Sequence, residues 1–414
     1  MPAGDSLRFG SAWGEAPLPR GLWLAFLSGL AVFLATLFVS IAANSLALGL
    51  AAIAWAASML VRRRWDVRAT PLDAVFLAYG VAELLASALS VNQAASFYNA
   101  RRLLLLGIVY VLATHVTGPG DVKRVLVVLL GTATLVSVIG VVKTVIDTSA
   151  PGPTRLGIFQ FYMTTSGQMM VVALLLLPFV LHRGTPGRVR WLVAAALVPV
   201  LVSLYATVTR GAYMAFLGGA VLLVLLRNWR LLFPLLACVA GAVVFAPPYV
   251  AGRIASIIDP AHADNASRLV MWDAGLKIWA DHPWVGVGDI DLGEFIRQYA
   301  GPGYTGTWGH LHNNLLHILA TLGLVGLGAA LAMFVMIIIV EWRVYRSVKD
   351  DWLLGCTAAG ALAVFTGIQI HGLTEWSFGD QEIALLLWTT VGLAVAAGRI
   401  SAAAAGDGGR NSKS

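Results

Sequence analysis

The stretch from Tyr249 to Gly326 concentrates side chains that could do chemistry. Arg253, Arg268, Lys277 and Arg297 lie in it with several carboxylates, and its histidines close with His310, His312 and His317. Arginine grips phosphate oxygens with a planar fork, more strongly where the dielectric is low. A neutral imidazole can take a proton from a hydroxyl, or simply hydrogen-bond to it. Arg268 and Trp272, four residues apart, share a helix face that Ser267 could cap. An aromatic beside that cation could stack on a sugar ring. An interfacial helix with a snorkelling arginine and a belt tryptophan explains the same spacing equally well. His310 and His312 would share a face if extended, and Asp289-Ile-Asp291 resembles a metal-binding acidic pair. No carboxylate follows those histidines at helical spacing, and so short an acidic match is common by chance; no metal and no cofactor are expected. A glycine-rich phosphate loop ending in Lys-Ser/Thr is missing, so the energy for any transfer has to come with the substrate. A sugar already activated on a lipid pyrophosphate is such a substrate.

The elements that must hold these residues are membrane helices. Of the 414 residues 58% are hydrophobic and 12% charged, with a mean hydropathy of +0.80. Repeated apolar runs near twenty residues make this an all-α polytopic membrane protein. Twelve transmembrane helices are expected, at 21–41, 44–61, 72–90, 100–117, 123–146, 160–181, 190–206, 210–226, 231–248, 312–340, 352–371 and 381–398. The stretch 249–311 then forms one long loop between the ninth and tenth. The run from Leu22 exceeds the core of a cleavable signal and reads as a retained span. Residues 1–20 and 399–414 read as tails, the latter disordered. Cys238 and Cys356 sit in apolar runs and imply no disulfide framework.

Charge orients the helices. Nineteen of the 28 Lys and Arg residues fall on one side of this layout, which by the positive-inside bias is the cytoplasm and holds both termini. The net charge of +7 therefore reflects topology rather than nucleic-acid binding. The cations left outside are Arg101, Arg102, Lys143, Arg155, Arg210, Arg253, Arg268, Lys277 and Arg297. Interfacial snorkelling covers some of them. Arg210 is harder to explain that way, because Thr207-Val-Thr-Arg-Gly-Ala-Tyr213 sits where one helix reaches the outer face and the next leaves it. Glu83 lies inside the third span, with Arg101 and Arg102 as the nearest candidate partners. Gly323, Gly326 and Gly328 suit close helix packing.

The long outer loop, Ser267-Arg268 with Trp272, His282-Pro-Trp-Val-Gly-Val-Gly288 and His312-Asn313 together resemble the O-antigen ligase and polymerase superfamily of bacterial envelope glycosyltransferases. The last pair matches the ligases' pattern of His, then Asn/Ser/Gln, nine residues, Gly, two residues, Gly, through Gly326 without a gap. The resemblance implies a GT-C-like glycosyltransferase at the outer face of the inner membrane. It implies a ligase that moves polysaccharide from undecaprenyl pyrophosphate to the lipid A core, with inversion and without a metal. Carried over by position, Arg210 and Arg268 bind the pyrophosphate and His312 activates or orients the acceptor hydroxyl. Asn313, Trp272, Arg101 and Arg102 are further candidates for substrate contact. A polymerase or a protein-directed oligosaccharide transferase shares the loop and the donor. A lipid-linked glycan transporter would instead need polar residues near the midplane of several helices.

Overall fold

The computed structural model describes residues 20–147, 155–302 and 304–411, and among them every regular element is a helix. The expected N-terminal tail lies outside the described residues but for its last one. The chain opens with α1 (Arg20–Thr36) and α2 (Ile41–Arg62), an antiparallel pair. Ser40 caps α2 by accepting from the Ala43 amide, which ends α1 short of its apolar run. Next come α3 (Asp73–Ala88), α4 (Gln93–Ala100), a 3-10 turn (Arg101–Leu106) and α5 (Gly107–His115), with α4 to α5 forming one membrane-length unit. Then follow α6 (Pro119–Asp147), α7 (Tyr162–Leu181), α8 (Gly187–Ala206), α9 (Arg210–Arg227) and α10 (Leu232–Val244). The polar stretch contains α11 (Pro248–Ala255), α12 (Ala263–Asp281) and α13 (Gly293–Ala300), and the chain ends in α14 (Asn314–Val348), α15 (Trp352–His371) and α16 (Gln381–Asn411).

Nine described helices are long and apolar enough to cross a membrane. The pair 229–244 and 248–255, bent by 118°, makes a tenth if taken as one broken span. All twelve expected stretches are helical, but α1 has 17 residues and α3 has 16, short of that length. Of the twelve expected spans, nine or ten meet this test of length and composition among the described residues. The last helix also runs past 398 to Asn411 instead of giving way to a disordered tail, as befits the alanines at 402–405.

Burial sorts the helices. The apolar windows of α7, α15 and α16 are 78%, 83% and 83% buried, against 22% for α8 and 28% for α2, so the first three are the central posts. Glycine allows α9 to approach two of these posts closely. A Cβ at Gly219 of α9 would stand 2.6 Å from a Leu174 methyl of α7 and 2.9 Å from the Ala363 carbonyl of α15.

The polar stretch has its own small core of Met271, Ile278, Leu292, Ile296 and Leu311, and it is locked to a break in α14. Gly323 has φ +63° and ψ −161°, which interrupts the helix. The backbone of Trp284 and Val285 lies so close that a Cβ at Gly323 would fall within 2.4 Å of it. At the break the amides of Leu324 and Val325 donate to the carbonyls of Pro283 (2.9 Å) and Trp284 (3.1 Å). In exchange, the carbonyls of Ala320 and Thr321 accept from Val287 (3.1 Å) and Gly288 (2.8 Å). Loop backbone thus replaces the helical bonds that Gly323 releases. The glycine of the His-Asn motif breaks a helix here, beyond the packing role its spacing suggested.

Candidate active site

His312, Arg268 and Arg210, far apart in sequence, line one pocket of about 200 Å³, with Arg155, Arg253, Asp264, Trp308 and Glu375 also in its wall. Arg210 opens α9 and is buried. Its guanidinium donates to the Ser256 carbonyl (2.6 Å), the Ser256 hydroxyl (2.8 Å) and the Asn265 side-chain oxygen (2.9 Å). It thereby ties the α11–α12 connection to the membrane helices. Arg268 projects from the second turn of α12. That helix begins earlier than expected, at Ala263, with the His262 ring accepting from the Asp264 amide. Ser267 is therefore inside the helix, not its cap.

Glu375, in the turn between α15 and α16, joins the two halves of the pocket. One carboxylate oxygen sits 2.7 Å from Arg268 Nη2 and the other 2.8 Å from His312 Nδ1. Burial pushes the Glu375 carboxyl up, but its hydrogen bond with His312 and the charges of His312 and Arg268 outweigh that and hold it below its ordinary value. An ionised carboxylate only accepts, so Nδ1 donates in this bond, and in the neutral form of the ring Nε2 is the nitrogen with the lone pair. The His310 ring lies 4.2 Å from that of His312. Burial, with His312 next, lowers His310 to about 4 and keeps it neutral. His312 itself has φ +47°, a left-handed backbone uncommon for a side chain of this size.

The His312-Asn313 pair is held by its neighbours. Asn313 caps α14, its oxygen accepting from Leu316 (3.0 Å) while its amide donates to the Leu373 carbonyl (3.1 Å). The Asn314 amide donates to the Gly372 carbonyl (2.6 Å), and its side chain accepts from Ser377 (2.8 Å). These bonds lace the start of α14 to the turn that carries Glu375. Both polar atoms of the Asn313 side chain are thus engaged by backbone. Trp272 donates its indole N–H to the Leu311 carbonyl (2.9 Å), next to His312, and is outside the pocket wall.

Arg101 and Arg102 are not brought to this pocket. Arg101 lies over the Tyr98 ring at 3.7 Å. Arg102 pairs at 2.5 Å with Asp289, not with Glu83 as expected, in a second cluster that includes Glu83 and Tyr79. Asp291 accepts from the Gly293 amide (2.8 Å), so the two aspartates of the acidic pair serve different partners. Glu375 escaped the sequence reading because it lies 63 residues beyond His312, in a nine-residue turn (372–380) with no motif. The available signal is an acid in a turn on the side expected to be outer, where the excess cations also lie. Arg155 and Arg253 are among those cations, and the structure adds them to the pocket.

The pocket's four arginines face two carboxylates, Asp264 and Glu375, leaving a formal surplus of two positive charges. That surplus matches a diphosphate diester. The lone pair on Nε2, backed by a carboxylate, can accept a hydroxyl proton and the positive charge that follows.

Residues 194–331 match the family model described as O-antigen ligase (Wzy_C), which spans Arg210, Arg268, His312 and Gly323. This match supports the O-antigen ligase and polymerase superfamily, with a glycosyltransferase-like activity of that kind in a multi-pass membrane protein. A comparison with curated proteins finds no match.

Proposed function

We propose that the protein is an O-antigen ligase that transfers polysaccharide from undecaprenyl pyrophosphate to the lipid A core at the periplasmic face of the inner membrane. The observation that carries this reading is the Arg268–Glu375–His312 chain across one wall of an arginine-rich pocket. The arginines neutralise the diphosphate as it leaves the anomeric carbon. His312 Nε2 takes the proton from the core-sugar hydroxyl as its oxygen bonds to that carbon from the opposite face, so configuration inverts. The electron pair of the broken C–O bond remains on the phosphate, and no step calls for a metal. Lipopolysaccharide and carrier-linked glycan, compared on gels after deletion of the gene, test the reading. A ligase leaves lipid A core bare while long chains accumulate on the carrier; single repeat units on the carrier would make the protein a polymerase.

Within this reading Glu375 orients His312 and stabilises its protonated form. Glu375→Gln keeps the shape but removes the charge. Losing one charge-assisted hydrogen bond, about 1.5–3 kcal/mol, lowers kcat roughly 10- to 150-fold. KM for the donor changes much less. Steady-state kinetics on purified enzyme check the split, and an unchanged kcat would detach Glu375 from the acceptor step.

The same reading puts residues 249–311 outside and residues 62–70 in the cytoplasm, as the arginine clusters require. With the two native cysteines replaced, a cysteine at Asp259 is expected to react with an impermeant maleimide in intact cells, and one at Asp66 only after lysis. Labelling at position 66 from outside would invert the topology.

A further inference from the structure

The donor-facing wall of the pocket already holds an anion of the protein's own. Asp264, in the first turn of α12, places one carboxylate oxygen 2.7 Å from Arg253 Nη1 and 3.6 Å from Arg210 Nη2. Arg253 is largely buried on α11, whereas Asp264 is 46% exposed at its side chain. The carboxylate can therefore turn toward solvent while the guanidinium stays in place. Burial pushes the Asp264 carboxyl up, but the bond to Arg253 and the charges of Arg253 and Arg210 override it, so it is ionised. Arg268, by contrast, has its carboxylate partner in Glu375, itself buried and bound on its other side to His312.

These two ion pairs differ in what they can release. Glu375 is buried and held through both of its oxygens, while Asp264 is held through one oxygen and is half exposed. Competition between a fixed cation's internal carboxylate and an incoming phosphate is decided by charge and geometry: the phosphate offers more oxygens and more charge.

We propose that Arg253 is a further phosphate-binding residue and that Asp264 is an intramolecular placeholder, which the donor's diphosphate displaces and which reclaims Arg253 when the lipid diphosphate leaves. The proposal rests on the donor site described above. It makes Asp264 a brake on affinity that speeds product release, because a diphosphate leaving the pocket gives up Arg253 to a waiting carboxylate rather than to bare solvent.

Full-length enzyme in detergent, titrated with farnesyl diphosphate by calorimetry, tests it. Asp264→Asn, isosteric at an exposed position, is expected to bind the diphosphate roughly tenfold tighter than wild type, and in turnover to lower donor KM and kcat together. Arg253→Gln is expected to weaken binding and, combined with Asp264→Asn, to erase most of the gain. Arg268→Ala in the same titration reports on the donor site independently of Asp264. Wild-type binding that Asp264→Asn leaves equal or weakens would overturn the placeholder and leave the donor site standing. Failure of the wild type to bind any diphosphate would overturn both. A gain that persists without Arg253 would assign the displacement to Arg210 and overturn the role of Arg253.

Discussion

Alanine at position 312 is expected to abolish glycan transfer while the donor still binds. A sugar hydroxyl is a poor nucleophile at neutral pH, and a positioned base contributes roughly 10²–10⁴-fold to such a step. His312 has the geometry for it, with Nδ1 committed to Glu375 and four arginines lining the same pocket, so that Nε2 is the nitrogen left to take a proton. Its neighbours provide controls. His317, five residues on, is buried with its ring 4.1 Å from that of Trp376 and is outside the pocket wall. His310 packs against the His312 ring and, among the described residues, forms no ion pair with a carboxylate. His317→Gln and His310→Ala are therefore expected to lose far less activity than His312→Ala. Purified enzyme with carrier-linked glycan and lipid A core gives the rates, and calorimetry gives donor affinity. Transfer retained by His312→Ala would leave the acceptor step without its base. In the same assay chelator is expected to leave wild-type activity intact. Loss restored by Mg²⁺ or Mn²⁺ would redirect attention to Asp289 and Asp291.

The second large effect is expected at Arg268. Its guanidinium faces the pocket and also holds one oxygen of Glu375 at 2.7 Å. Arg268→Ala removes charge-assisted contacts to the leaving diphosphate and frees the carboxylate that orients His312. A cost on the order of 2–4 kcal/mol in transition-state stabilisation corresponds to roughly two or three orders of magnitude in rate. Lysine is expected to restore part of it, since an ammonium supplies the charge but not the fork. The two roles separate kinetically: Arg268→Ala raises donor KM and lowers kcat, whereas Glu375→Gln acts mainly on kcat. Near wild-type transfer by Arg268→Ala at normal expression would remove it from the site.

What the sequence made legible follows from what is periodic or biased in it. Every expected span is a helix, because apolar runs of that length leave the backbone no other way to satisfy itself in lipid. Two are shorter than hydropathy suggested, since Ser40 and the polar ends of α3 stop helices where apolar character continues. Of the nine cations expected outside, conspicuous because they oppose the charge bias, Arg155, Arg210, Arg253 and Arg268 meet in the pocket, whereas Arg101 and Arg102 do not. Glu375 was invisible for the opposite reason: an acid in a short outer turn breaks no rule, and only the lacing of residues 312–314 to 372–377 brings it to His312. Trp272 and Asn313, singled out by their spacing to Arg268 and His312, bond to backbone at Leu311, Leu316 and Leu373.

The break at Gly323 gives the fixed spacing of the His-Asn motif a meaning as a ruler. One end of the ruler is pinned where Leu324 and Val325 bond to the loop at 283–284, the other where Asn313 and Asn314 bond to residues 372–373. Between the pins runs a short rod of helix in which each residue advances about 1.5 Å and turns about 100°. Adding or deleting one residue there would keep every side chain of the pocket present and still turn the end that carries His312 and Glu375 out of phase with the loop at 283–288. The interval between His312 and Gly323 is therefore a phase constraint on the chain, and its length matters more than the identity of most residues within it.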